Sequence, residues 1–269
     1  MKKTNNIEVS VIMSEYNTPI ELLKESIQSI LNQTFKNFEF IIVDDCGKND
    51  LAKLVKEFND DRIVVLKNKK NMGLVASLNK AIDAAKSNYL VRMDTDDFAY
   101  PTRIESQYKF IKEHPEYAVV GMKCDYFDGK CIYGTSKNNG ELSKKDIINQ
   151  NIFIHPSVIM NKEIIKKIGC YPNFQRCEDY ALWINLYYHG YKGYVMNEVG
   201  IRYTIREEDY SKRTLKTRKG IFKLINKDYQ KLNPTKMETN KIKLKNFIAG
   251  IVPGKIMYKY HKKRWKNEK

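Results

Sequence analysis

No part of this 269-residue chain is apolar for long enough to cross a bilayer as a helix, since the longest apolar run of its basic C-terminal part, Phe247 to Val252, falls far short of the ~20 residues needed. Cysteine is sparse and unpaired in pattern. Cys46, Cys124, Cys131, Cys170 and Cys177 form an odd set with no C-x-x-C and no histidine at zinc-site spacing, which excludes a disulfide framework and a zinc ribbon. Reduced thiols and a cytosolic compartment are therefore expected. The polar lead Met1-Lys2-Lys3-Thr4-Asn5-Asn6 lacks the apolar stretch and cleavage site of a signal peptide, so export is not expected. No G-x-G-x-x-G follows the first strand-like run, which removes the dinucleotide-dependent dehydrogenases, and no internal repeat is present. What remains is a chain with 42% hydrophobic and 12% aromatic residues, enough to bury a large core, so disorder is excluded as the main state.

Acidic residues are scarce in one place only. Lys and Arg number 48 against 32 Asp and Glu, a formal charge of +16, yet residues 1–201 carry 27 basic and 26 acidic side chains while residues 202–269 carry 21 and 6. The body is electroneutral and the tail holds nearly all the charge. Such a tail attracts polyanions, whether anionic lipid headgroups or nucleic acid, without needing a specific fold. A solvated helical face would have the same composition.

Along the first hundred residues two hydrophobic periods alternate. Ile7 to Met13, Phe38 to Val43, Arg62 to Leu66 and Tyr89 to Met93 read as strands, and the positions Leu22, Leu23, Ile27, Ile30 and Leu31, then Leu51 to Phe58, then Leu74 to Lys86 read as helices between them. That order implies βαβ units and a parallel sheet, whose ligands bind beyond the carboxyl ends of the strands. After Pro101 the pattern predicts a helix from Thr102 to Glu113, a strand from Ala118 to Met122, a polar stretch from Asp125 to Asn149, an extended Pro156 to Met160, a helix from Glu178 to Tyr188 and a short strand from Gly193 to Met196. The tail shows amphipathic helical spacing at Leu215, Phe222, Ile225 and Tyr229 and again from Leu244 to Val252.

Acidic pairs sit where the strand-end rule places ligands: Asp44-Asp45 after the second strand and Asp94-Thr95-Asp96-Asp97 after the fourth. Three carboxylates within four residues repel one another unless a cation or hydrogen-bond donors compensate. A hard divalent ion that takes one or two carboxylates plus phosphate oxygens would do so. In isolation an acidic surface turn would look the same; its position at the end of an apolar strand argues against that.

Arg92 to Asp97, continuing to Pro101-Thr102-Arg103, resembles the D-x-D region of glycosyltransferase family 2, enzymes of the GT-A fold that transfer sugars from nucleotide donors. The resemblance extends in order through Val9 to Ser14 with Tyr16-Asn17, Ser29 to Thr34, Ile42 to Asp45, Asn71-Met72-Gly73-Leu74 with Ser77-Leu78-Asn79, His155-Pro156-Ser157-Val158 and Cys177-Glu178-Asp179 to Trp183. It covers residues 7–205. It implies an α/β, GT-A-type nucleotide-diphospho-sugar transferase fold, a mixed but mainly parallel sheet flanked by helices. The catalytic domain would span residues 1–205, with a nucleotide-binding half at 1–100, an acceptor half at 101–205 and a basic amphipathic helical tail at 206–269.

The resemblance also implies roles. Asp45, with Asp44 close behind, would accept from the imide N–H of a uracil; Ser14 and Tyr16 would line the nucleobase and ribose, Tyr16 by stacking; Asn71 would belong to the donor loop and Asp94 would lie near the ribose. Asp96 would ligate Mn²⁺ or Mg²⁺ directly, with Asp97 as a second ligand or a group that orients the first. Asp179 would be the general base, with Glu178 beside it in acceptor binding, although carboxylates in a first helical turn also suit the helix dipole. His155 would touch a phosphate, the metal or the acceptor sugar, or else be an ordinary loop histidine. Arg92 and Arg103 would pair with the carboxylates or form structural ion pairs. Two departures stand out: Glu15 occupies the place of a small residue beside the expected diphosphate, so it must point away or pair with a cation, and Cys46-Gly47 replaces a Gly-Ser turn.

The expected activity is inverting transfer of a sugar from a nucleotide donor, UDP first, to a saccharide or polyprenyl-linked glycan in cell-surface polysaccharide synthesis. The enzyme would be cytoplasmic and peripheral at the inner face of the membrane, held by the tail on anionic lipid. The competing class, a non-enzymatic nucleic-acid or anionic-lipid binder, has only the charge behind it.

Overall fold

A computed structural model describes residues 7–174 and 176–266, so the polar lead at 1–6 lies outside the described residues. The first half runs β1 (Val9–Glu15), α1 (Ile20–Leu31), β2 (Phe38–Asp44), α2 (Leu51–Lys56), β3 (Ile63–Lys67), α3 (Leu74–Ala84) and β4 (Tyr89–Arg92). The second adds β5 (Phe98–Ala99), α4 (Arg103–Glu113), β6 (Tyr117–Phe127), β7 (Ile132–Thr135), β8 (Gly140–Leu142), α5 (Lys144–Asn149), β9 (Ile159–Asn161), α6 (Lys162–Lys167), α7 (Glu178–Tyr188) and β10 (Lys192–Thr204). The C-terminal part holds α8 (Glu207–Ser211), α9 (Lys219–Asn226), α10 (Lys236–Ile251) and α11 (Gly254–Lys266).

Strand order is β3-β2-β1-β4-β9-β6-β10-β5, with β7 on β6 and β8 on β10. The pairs β3-β2, β2-β1, β1-β4 and β6-β10 are parallel, whereas β9 joins the two halves by antiparallel pairing with both β4 and β6. The chain therefore reverses its winding direction between β1 and β4, and the crevice beyond their carboxyl ends is where such a sheet takes ligands.

Side-chain alternation assigns each strand residue to a layer. Val9, Val11 and Met13 of β1 and Phe38, Phe40 and Ile42 of β2 pack with α1, α2 and α4 on one face. Ile12, Ile41 and Val43 point the opposite way into a core shared with Leu78 and Ile82 of α3 and the fully buried Trp183 of α7. Because both faces are covered, β1 and β2 are continuously apolar apart from paired groups: Ser10 is buried, and its hydroxyl donates to Glu39 at 2.7 Å.

The strand and helix order of the first half matches the expectation, with β1 beginning two residues later than Ile7. The second half differs more: His155–Ser157 form a 3-10 turn ahead of β9, and β5 and α6 have no counterpart in the pattern. The polar stretch 125–149 contains the end of β6, both strands β7 and β8, and α5, whose Ser143 and Asp146 form a capping box. The short strand at Gly193–Met196 is the middle of the 13-residue β10, because register shifts on β6 around Val199 interrupt the alternation that marks a strand.

The C-terminal helices are docked on the body. Leu224, Ile225, Tyr229 and Ile242 are buried in the same core as Trp183, and the Tyr229 hydroxyl donates to the Ile148 carbonyl at 3.0 Å. At the other end Trp265 of α11 stacks on Tyr126 of β6 with ring centroids 4.2 Å apart. Among the described residues no helix is long and apolar enough to cross a membrane.

Candidate active site

The residues expected on the donor side gather at the carboxyl ends of β1 and β2. Glu15 faces Asp44 in register, and the Asp45 N–H donates to the Glu15 carbonyl at 2.9 Å. The Asp45 carboxylate is 2% exposed: Oδ1 accepts from Asn68 Nδ2 at 2.7 Å and Met72 N at 2.8 Å, and Oδ2 accepts from Gly73 N at 2.8 Å. It thereby fixes the loop that carries Asn71 into α3. Gly73 needs this position, since its φ of 86° lies in the left-handed region. Asp44 accepts from Cys46 N at 2.9 Å and lies 3.5 Å from Lys67 Nζ. Tyr16 is half exposed, Asn71 is exposed and Ser14 is partly buried at the end of β1.

Among the described residues Glu15 has no cation partner and is turned into its own loop: it is fully buried, its Oε1 accepts from Thr18 N at 3.0 Å and Asn49 Nδ2 at 2.8 Å, and its Oε2 has no hydrogen-bond partner. Cys46 has a φ of 61°, and a Cβ on Gly47 would lie 2.9 Å from the Asn17 backbone nitrogen, so the turn needs glycine at 47 even though the order of residues departs from Gly-Ser.

The acidic turn after β4 is pinned from three sides. Ser26 of α1 donates to the Asp94 carbonyl at 2.7 Å, the Thr18 and Thr95 hydroxyls share a 2.7 Å hydrogen bond, and Thr204 at the end of β10 donates through its hydroxyl to the Asp96 carbonyl at 2.6 Å. Asp94 pairs with the fully buried guanidinium of Arg92. Arg103, also buried, donates to the Arg92 carbonyl at 2.7 Å, and burial next to Arg92 pushes its guanidinium down to about 9. Arg92 is thus the carboxylate partner and Arg103 the backbone brace.

Asp96 and Asp97 differ in setting. The Asp96 side chain is 40% exposed with Arg206 Nη1 4.0 Å away, and burial together with Asp94 pushes it up to about 6. Asp97 is 2% exposed: Oδ1 accepts from Thr204 N at 2.8 Å, Oδ2 has no hydrogen-bond partner, and burial and its two acidic neighbours hold it well above the usual carboxylate range. Among the described residues no three His, Cys, Asp or Glu side chains converge on a self-sufficient cation site. The donor set nevertheless fits a divalent ion that draws most of its ligands from a bound diphosphate, because the Asp96 carboxylate is accessible and the neighbouring Asp97 keeps one carboxylate oxygen without a partner.

Glu178 and Asp179 open α7. Burial and the adjacent Asp179 push Glu178 up to about 7, and burial also raises Asp179, whose Oδ2 accepts from Asn151 Nδ2 at 2.6 Å. His155 accepts from or donates to the Tyr171 hydroxyl at 2.7 Å, and burial, with Arg92 nearby, keeps the imidazole neutral. This histidine has a satisfied partner and also lines the cleft.

That cleft encloses about 1490 Å³ and brings Arg92, Asp94, His155, Glu178 and Asp179 together. Ser14, Tyr16, Asp44, Asp45, Asn71, Asp96 and Asp97 lie outside its lining. Sequence reasoning missed Asn151, Tyr171, Thr204 and Arg206, which hold the named residues in place. Thr204 ends β10, a strand whose true length was hidden by its bulge, and Arg206 follows it; Asn151 sits in a connection with no pattern of its own.

The sheet order, the acidic strand ends and the carboxylate pair opening α7 define a nucleotide-sugar transferase of the GT-A class. Residues 10–169 match Glycosyl transferase family 2, and the chain belongs to that family. It is 32% identical to the putative glycosyltransferase EpsE of Bacillus subtilis over 277 residues, spanning 97% of this chain and 96% of that protein. It is 29% identical to the UDP-Glc:alpha-D-GlcNAc-diphosphoundecaprenol beta-1,3-glucosyltransferase WfaP of Escherichia coli, over 73% of this chain and 77% of that one. Among solved structures, the fold matches a mannosyltransferase from Pyrobaculum calidifontis in complex with GDP-Man and Mn²⁺ with a TM-score of 0.66 at 15% identity, covering 91% of this chain and 70% of the other.

Proposed function

We propose that the protein is an inverting, metal-dependent hexosyltransferase that moves a sugar from a UDP donor to a saccharide or lipid-linked saccharide in cell-surface polysaccharide synthesis. The observation that carries this reading is the single cleft in which Asp94, at the end of β4, meets Glu178 and Asp179 at the start of α7. WfaP, named for a UDP-glucose donor and a diphosphoundecaprenol-linked acceptor, supports the donor and acceptor classes.

Asp45 uses three of its roughly four acceptor sites on its own chain, which leaves one for the imide N–H of uracil, while Tyr16 presents an exposed ring to the base. Asp96 would hold Mn²⁺ or Mg²⁺, with the buried Asp97 beneath it as the orienting group. The ion, once bound, supplies charge stabilisation for the leaving diphosphate. Asp179, oriented by Asn151, takes the proton of the acceptor hydroxyl, and attack from the face opposite the nucleotide inverts the anomeric carbon. Glu178, pushed up to about 7 by burial and by Asp179, keeps a protonated fraction at neutrality that donates a hydrogen bond to the acceptor.

The site is cytoplasmic and peripheral at the inner membrane face. Exposed Met237, Phe247 and Ile251 on α10, a helix that also carries Lys236, Lys241, Lys243 and Lys245, suit an anionic leaflet. Transfer from a panel of nucleotide sugars with Mn²⁺ or Mg²⁺ tests the reading. Asp179→Asn is expected to lower turnover by ~10²–10⁴-fold, and Asp96→Ala to abolish the metal dependence; unchanged turnover in both variants sinks the assignment.

A further inference from the structure

The cleft that holds Glu178 and Asp179 has a second wall, and its chemistry is opposite. Arg213 and Arg218, in the connection before α9, and Lys241 and Lys245 of α10 line the same space. Four carboxylates of this part of the chain are engaged elsewhere: Asp209 with Lys212, Glu207 with Lys255, Asp228 with Lys231, and Glu238 with the Thr235 cap. Arg218 donates through Nη1 to Asn246 at 2.7 Å, yet its buried Nε has no hydrogen-bond partner. The cations face one another. Burial, Arg264 and Lys241 lower Lys245, and burial with Arg213, Arg264, Lys245 and Arg218 pushes the nearby His261 imidazole down to about 4. Like charges gathered in one wall cost stability unless an anion completes them.

Apolar groups border these cations on the same lining. Leu244, Ile248, Ile256 and Tyr260, each between 44% and 59% exposed, leave α10 and α11 with a hydrophobic strip beside the charge. A soluble sugar has no use for that strip, and a nucleic acid would meet carboxylates on the opposite wall. A ligand with a sugar at one end, a phosphate group next to it and an apolar chain beyond satisfies all three surfaces.

We infer that Arg213, Arg218, Lys241 and Lys245 form an acceptor-side phosphate site, which anchors the phosphate or diphosphate of a lipid-linked acceptor while α10 and α11 carry its hydrocarbon chain. The inference rests on the glycosyl-transfer reading for the sugar end only. Charge sorting then orients the acceptor: its phosphate is repelled by the ionised Asp179 side of the cleft and held by the basic wall, which leaves the sugar hydroxyl toward Asp179.

The test uses the full chain and direct binding, followed by titration calorimetry, so that it does not depend on knowing the donor. Farnesyl diphosphate serves as the probe, with farnesol and inorganic pyrophosphate as its two halves. Farnesyl diphosphate is expected to bind at least tenfold tighter than either half. The double substitution Lys241→Gln with Lys245→Gln, at exposed helix positions, should weaken it at least tenfold and leave UDP affinity unchanged. Equal binding by the variant, or no binding by the native chain, overturns the site. Binding of phosphatidylglycerol vesicles that the variant loses, with farnesyl diphosphate binding retained, also overturns it, because the wall would then read a membrane and not an acceptor. Loss of all donor-sugar transfer with the farnesyl diphosphate result intact would instead remove the catalytic reading and leave the anion site standing.

Discussion

Asn151 donates its side-chain amide to Asp179 Oδ2 at 2.6 Å, and it is the group that most favours the charged form of a carboxylate otherwise raised by burial. A general base works only when ionised. Removing the donor in Asn151→Ala therefore moves the rise of kcat with pH toward higher pH. At neutral pH turnover should fall about tenfold, the worth of one hydrogen bond to a charged group. A pH–rate profile measured with saturating acceptor decides it; a rise that stays in place removes Asn151 from the orienting role.

Glu178 carries a stability signature of opposite kind. Its folded value of about 7 lies above its ordinary 4.5, so between those limits the native state binds more protons than the unfolded one. Stability contributed by this group is full below pH 4.5, declines as pH rises toward 7 and is lost above it. Glu178→Gln should flatten that decline and stabilise the protein at pH 8 by about 1–3 kcal/mol. Urea midpoints at pH 5 and pH 8 for both proteins measure this directly, and parallel curves would show that Glu178 is not held protonated.

The first hundred residues were readable because both sheet faces are buried there. Unbroken runs such as Phe38–Asp44 and helical spacing such as Leu23, Ile27 and Ile30 have no competing explanation. The second half hid its strands wherever one side of the sheet is solvated or the register breaks, as at Asn197 and Glu198 of β10, which are exposed. Strand-end carboxylates were legible by position, since a charged residue directly after an apolar run has few structural reasons to be there. Arg206 and Asn151 were not, because their roles come from tertiary neighbours and no local pattern encodes those. The tail's charge was plain in the sequence, but only packing showed which side of it faces the cleft.

Asp45 holds its loop with more bonds than a nucleobase contact needs. Asn68, Met72 and Gly73 all donate to it inside the protein. In Asp45→Asn one oxygen becomes an amide nitrogen, which sets a donor against a buried N–H. The expected cost is about 1–3 kcal/mol of stability, together with weaker UDP binding as the loop before α3 loosens. Thermal unfolding and UDP titration give separate readouts. A variant with native stability and lost UDP affinity would make Asp45 a pure ligand group, and native values in both would remove it from the site.

Gly134 of β7 touches the far helix so closely that a methyl group cannot enter. A Cβ there would lie 2.7 Å from the Trp265 carbonyl oxygen, a backbone atom of α11 that can move only with its helix. Gly134→Ala should therefore separate α11 from the sheet, break the Trp265–Tyr126 stack and cost about 1–3 kcal/mol, the range for overpacking a well-filled contact. Gly140→Ala is the matched control: its φ of 94° strains any side chain, but nothing lies within 4 Å of the added methyl, so α11 stays in place. If α11 walls the acceptor cleft, Gly134→Ala raises the acceptor KM and leaves UDP affinity unchanged, whereas Gly140→Ala changes neither. Equal acceptor KM in the two variants would mean that α11 serves the fold alone.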